Sequence, residues 1–139
     1  MMESLLYISQ SCIPPSDAAA VIGSIVATSV EQNSARGLTG ALLFTGTHFA
    51  QVLEGETAFV DELMAKVLDD PRHNNLLVVT RECVAKRRFS DLSMAYFGPS
   101  QFVSRHVKRL LNDPSPVEKR RGAEWLTELL REFSSAKCR

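Results

Sequence analysis

The sequence is poor in cysteine, with three in 139 residues: Cys12, Cys83 and Cys138. The count is odd, the spacings are wide and no Cys-x-x-Cys occurs, which argues against a disulfide framework or a thiolate metal site. Reduced cysteines fit a cytoplasmic setting. The histidines His48, His73 and His106 form no local ligand motif, so no metal is expected. Long hydrophobic runs are missing too, and nothing approaches the ~18 apolar residues of a membrane span. Met1 to Ser9 lacks the basic segment and cleavage site of a secretory signal. Charge of one sign is absent: Lys+Arg and Asp+Glu number 16 each. Without a basic excess, no nucleic-acid partner is expected. Gly-rich phosphate loops, nucleophile elbows and His-Glu-x-x-His are all missing, so no enzyme is expected.

What is there is an ordinary globular composition, 45% apolar and 23% charged. A chain of this length makes one core and buries roughly 70% of its unfolded surface. Leu5–Ser9 reads as a strand stopped by Pro14-Pro15. Ser16-Asp17 offers an N-cap and a first-turn acid. From Asp17 to about Gln32, apolar residues recur at helical spacing: Ala18, Val21, Ile22, Ile25 and Val26. Leu38–Thr45 and Thr47–Leu53 flank Gly46 as a hairpin. Phe59, Val60, Leu63, Met64, Val67 and Leu68 mark a second helix, closed by Asp69-Asp70-Pro71. Leu76–Thr80, continuing to Cys83, and Ser93–Phe97 read as further strands.

Two strand–helix–strand crossovers around a hairpin predict an α+β, ferredoxin-like split βαβ fold. One mixed five-stranded sheet would carry two helices on one face. Two more apolar helical stripes follow, Phe102/Val103/Val107/Leu110/Leu111 and Trp125/Leu126/Leu129/Leu130/Phe133. They would form a C-terminal pair on the other face or pair with another subunit. The chain thus divides into residues 1–98 and a helical extension over 99–139.

Some polar residues sit where apolar ones are expected. Gln51 shares a strand face with Phe49 and Leu53. An amide there must find partners or cost roughly 1–3 kcal/mol. Tyr7 is mid-strand, and Ile25, Ser29 and Asn33 share one helix face. Each polar residue alone could be satisfied by nearby backbone. Together they outline a pocket suited to a flat ring edged with donors and acceptors. Asp69-Asp70 beside His73 reads as a solvated helix cap, and Lys86-Arg87-Arg88 as a solvated turn.

At these residues the chain resembles the BLUF family of flavin-based blue-light sensors. The resemblance covers about residues 4–97. Tyr7-Ile8-Ser9 is similar to the family's opening Tyr-x-Ser. Asn33 through Gly40 resembles Asn-x4-Ile/Leu-Thr-Gly, and Phe49 through Gly55 resembles Phe-x-Gln-x-Leu-Glu-Gly. Asp70-Pro71-Arg72-His73 matches Asp-x-Arg-His, and Arg88-Phe89 with Ser93-Met94 matches the closing segment. The resemblance implies bound FAD, with FMN also able to fit. It implies a flavin-binding set of Tyr7, Ile25, Ser29, Asn33, Phe49, Gln51, Leu53, Arg72 and His73. Tyr7, Gln51 and Met94 would be photoactive: Tyr7 as electron and proton donor, Gln51 as the switching amide, Met94 as its sensor. Leu92 stands where many members have Trp. Output would pass to an effector protein in trans or through a homo-oligomer. The competing readings are a light-insensitive ferredoxin-like interaction module and a small acylphosphatase-type enzyme. The latter wants an Arg in the loop after the first strand, and Gln10–Pro14 has none.

Overall fold

The computed structural model describes residues 2–89, 92–97, 101–112 and 115–137. Side chains at 26, 29, 30, 34, 92–97, 101–104, 106 and 132–137 lie outside the description. The elements are β1 (Met2–Ser11), α1 (Ala18–Ser34), β2 (Thr39–Phe44), β3 (His48–Glu56), α2 (Thr57–Leu68), β4 (His73–Cys83), β5 (Leu92–Phe97), α3 (Gln101–Leu111) and α4 (Pro116–Lys137). The five strands form one sheet in the order β4-β1-β3-β2-β5. The β1–β4, β1–β3 and β2–β3 pairs are antiparallel, and β5 joins β2 in parallel, so the sheet is mixed. β3 fills the gap between β1 and β2, and β1 lies between β3 and β4. This is the split βαβ arrangement expected from the element order, extended by β5.

The pleat of β1 divides the core into two layers. Leu6 and Ile8 join Ala41, Leu43, Ala50 and Val52 on one face, where Val107 and Leu110 of α3 and Leu126 and Leu130 of α4 cover them. Fully burying a leucine contributes ~1.5–3 kcal/mol, so Leu126 and Leu130, both at 0% exposure, hold α4 on the sheet. Trp125 packs against the same cluster. Leu5 and Tyr7 point the other way, toward Val60 and Met64 of α2. Leu42, Phe44 and Phe49 meet Ile22 and Ile25 of α1 on that face. The C-terminal helices therefore share a core with the sheet. The apolar stripe positions Phe102, Val103 and Phe133 fall outside the described side chains.

Three local expectations need correction. Pro15–Asp17 forms a 3-10 turn, and Asp17 occupies the α1 N-cap without a side-chain capping bond. The α1 helix runs past Asn33, which lies in its last turn. In the Lys86-Arg87-Arg88 turn, Lys86 and Arg87 are exposed as expected, but both arginines are engaged by the sheet. Arg87 Nη1 donates to Thr39 Oγ1 (2.7 Å) and the Glu54 carbonyl (3.1 Å), and Arg88 Nη2 donates to Ser4 Oγ (3.0 Å). Beneath them lies Glu54, a fully buried carboxylate. It accepts from the Arg88 and Phe89 backbone N–H groups at 2.8 and 3.0 Å and from Thr39 Oγ1 at 3.1 Å. This clamp pins the segment leading into β5, and its parts lie too far apart in sequence to be read locally.

Candidate functional site

A cleft of about 190 Å³ opens between the sheet and helices α1 and α2. Tyr7 on β1 and Gln51 on β3 are cross-strand partners in the antiparallel ladder, and Leu42 on β2 is Gln51's partner on the other side. Leu42 in turn pairs with Met94 on β5. Tyr7, Gln51, Leu42 and Met94 thus form one row across four strands. The β2–β5 register shifts just beyond this row, between Leu42 and Leu43. Tyr7 Oη donates to Gln51 Oε1 at 2.6 Å, with both side chains buried. Burial, and secondarily the negative charge of Asp70, push the Tyr7 pKa well above its ordinary value. The phenol therefore stays protonated, as a donor must.

Gln51 Nε2 makes no hydrogen bond among the described residues and is left to the cleft. The side-chain amide of Asn33 is in the same position, at 4% exposure. The Asn33 carbonyl accepts from Arg36 and Leu38 N–H at 3.1 Å each, which fixes the turn out of α1 and the residue's placement. Among the described residues these two amides have no protein partner and face the open cleft, where a ligand with donors and acceptors on its edge can meet them.

His73, the first residue of β4, closes another wall. Its Nε2 lies 2.6 Å from the Val67 carbonyl. A carbonyl only accepts, so Nε2 carries a proton, and Nδ1 lies 2.7 Å from Ser9 Oγ. The ring stands edge-on to Tyr7 and Phe49, with centroids 6.2 and 6.1 Å away. Asp70, read from the sequence as a solvated cap, lines the cleft. It receives Arg72 Nε at 2.9 Å and Nη2 at 2.5 Å. These bonds hold the Asp70 carboxyl below its usual range despite partial burial, and Asp70 raises the Arg72 pKa in return.

Of the residues singled out from the sequence, Tyr7, Ile25, Asn33, Phe49, Gln51, Arg72 and His73 all line the cleft. Leu53 does not. It is fully buried against Leu5, Leu38 and Val60, two residues along β3 from Gln51 and past the cleft's end. The side chains of Ser29 and Met94 lie outside the description. Sequence reasoning missed Thr28, Gln32 and Lys66 on the two helices. Thr28 and Gln32 precede Ser29 and Asn33 by one residue, and an i, i+4 pairing could have found them.

The BLUF family, described as sensors of blue-light using FAD, matches residues 2–95. The chain belongs to the BLUF family. It is 32% identical over 97 residues to the blue light- and temperature-regulated antirepressor BluF of Escherichia coli (strain K12), covering 70% of this chain and 24% of that one. The dark-state structure of BlrB, a BLUF protein, superposes with a TM-score of 0.71 at 30% identity, over 94% of this chain and 96% of the other. Klebsiella pneumoniae BlrP1 with FMN and cyclic diGMP gives a TM-score of 0.61 at 34% identity, over 68% of this chain and 25% of that one. The chain thus spans about a quarter of the antirepressor's length. Among the described residues, no helix of this BLUF chain is long and apolar enough to cross a membrane.

Proposed function

We propose that this BLUF chain is a blue-light photoreceptor that holds FAD non-covalently in the cleft and signals by rearranging the Tyr7–Gln51 hydrogen bond. The observation that carries the reading is the pairing of that buried 2.6 Å bond with two unspent amides on the same wall. The donor set fits a flavin. Asn33 can both donate and accept at a pyrimidine edge, and Gln51 Nε2 can donate to a ring nitrogen or carbonyl. Ile25, Phe49 and His73 supply flat and apolar surface, with Ser29 and Arg72 in the same binding set. The contacts centre on the ring, so FMN can also fit.

When bound, the flavin supplies absorption of blue light and an acceptor for an electron and a proton. The rest falls to the chain. Tyr7 is the donor in reach, and its Oη proton already points at Gln51 Oε1. Rotation of the amide would bring Nε2 to Tyr7 Oη and turn Oε1 toward the cleft, while a tautomer change would move a proton from Nε2 to Oε1 without rotation. One hydrogen bond is worth only ~0.5–1.5 kcal/mol net. That suffices to bias an element balanced within a few kcal/mol. β5 is that element: Met94 ends the Tyr7–Gln51–Leu42 row, a register irregularity follows it, and β5 packs on α4. Residues 1–98 serve as sensor and 99–139 as the output extension, which meets an effector protein in trans or a second copy of the chain. Neither catalysis nor nucleic-acid binding is part of this reading, and the setting is cytoplasmic.

The test is an absorption spectrum of the purified protein before and after blue light. A flavin band that shifts to the red and recovers in darkness is expected, as is loss of the shift with retained flavin in Gln51→Ala. A colourless protein that takes up no added FAD would sink the reading, and an unchanged shift in Gln51→Ala would remove the amide from the switch.

A further inference from the structure

On the α3 side of the sheet lies a second concavity, of about 790 Å³. It is bounded by α3 and by the ends of β1, β3 and β4. That volume falls in the range of roughly 300–1,000 Å³ typical of small-molecule sites. Its charge has one sign. Arg105 and Lys108, three residues apart on α3, both line it, and among the described residues no Asp or Glu does. Among the described residues, no ion pair engages either cation. The whole chain is formally neutral, so this positive field is local.

Neutral donors complete the wall. Asn75 Nδ2 donates to Gln10 Oε1 at 3.0 Å, which sets two amides side by side. Asn75 takes a left-handed backbone (φ 51°) near the β1–β4 register shift between Ile8 and Gln10. His48, buried at the start of β3, has its Nδ1 2.8 Å from Thr47 Oγ1. Leu111 adds an apolar patch. Burial, and then the charge of Lys108, hold the His48 pKa below its ordinary value, so the imidazole already senses α3 across the concavity.

We infer that this concavity binds a phosphate-bearing small ligand of nucleotide size. Arg105 and Lys108 would hold its phosphates, Gln10 and Asn75 its polar edge, and Leu111 its ring face. The inference is independent of the flavin reading, because the two sites share no residue.

The test is isothermal titration calorimetry at low salt on the full chain as purified. ADP, inorganic pyrophosphate and adenosine are the probes. ADP and pyrophosphate are expected to bind with one-to-one stoichiometry, and adenosine not to bind. Lys108→Ala and Arg105→Ala should each weaken ADP binding about tenfold, the loss of one charge-assisted contact. Arg120→Ala, an equal charge change at an exposed position on α4, should alter it by less than about twofold. In parallel, the His48 ring signals in an NMR titration should show its pKa rising when pyrophosphate is present. Absence of heat with both ADP and pyrophosphate at millimolar concentration would overturn the inference. So would equal weakening by Arg120→Ala, which would mean general charge attraction. A poly-glutamate peptide that binds with Lys108 dependence while both phosphates fail would also overturn it, in favour of an acidic protein segment.

Discussion

The Tyr7–Gln51 bond can be weighed by a double-mutant cycle. Tyr7→Phe removes the hydroxyl and leaves Gln51 Oε1 without its 2.6 Å donor. That oxygen borders the cleft and can turn to water, so the cost should stay near the net value of one bond, ~0.5–1.5 kcal/mol. Gln51→Ala is different. It strands the Tyr7 hydroxyl, which belongs to a side chain only 4% exposed. A buried hydroxyl without a partner costs about 1–3 kcal/mol, on top of any lost packing. In the Tyr7→Phe background that hydroxyl is already gone. Gln51→Ala should therefore cost about 1 kcal/mol less there than in the parent chain, a difference of ~2–4 °C in Tm for a chain of this size. Urea unfolding of flavin-stripped protein is the assay, since the bond lies wholly within the chain. Additivity of the two changes within about 0.3 kcal/mol would refute the argument that the bond is formed and buried in the absence of ligand.

Other consequences are as direct. A Cβ on Gly40 would lie 1.8 Å from the Val52 carbonyl oxygen, at a φ of 150°. Gly40→Ala should cost at least ~1–3 kcal/mol and disturb the β2–β3 ladder beside the cleft, and an unchanged urea midpoint would contradict that. Glu54 uses a separate oxygen for each of the Arg88 and Phe89 N–H groups. Glu54→Gln replaces one acceptor with a donor and should cost about 1–3 kcal/mol; faster hydrogen exchange at Arg88 or Phe89 checks it, and full protection at both would count against the clamp. Because the folded Tyr7 pKa lies above the unfolded value of about 10, the Tyr7 contribution is fully present below about pH 10 and falls away as pH rises beyond it. Tyr7→Phe should lack that alkaline loss, and equal losses in both proteins would assign it elsewhere.

Much of the site was legible in the chain because its signals are local. Period-two alternation put Phe49 and Gln51 on one strand face, helical spacing put Ile25 and Asn33 on one helix face, and Asp70 through His73 formed a recognisable cluster. Leu53 shows the limit of that logic: alternation assigns its face correctly, but only the end of the cleft decides that it packs in the core. Asp70 shows another limit, since a carboxylate at a helix end looks solvated until Arg72 is seen to bind it beside Tyr7.

The sequence by itself determined the element order, the two-layer pattern of apolar residues and the identity of the polar residues that do not belong in a core. These follow from residue type and spacing within about ten positions, where backbone geometry alone relates one side chain to the next. Only the tertiary structure decided that Tyr7, Gln51, Leu42 and Met94 stand in one row. It alone decided that Glu54 anchors a segment 34 and 35 residues away, and that Arg105 and Lys108 face Gln10 and Asn75 across a common concavity. Strand register and helix docking are settled by contacts between distant parts of the chain, which the spacing of neighbours does not encode.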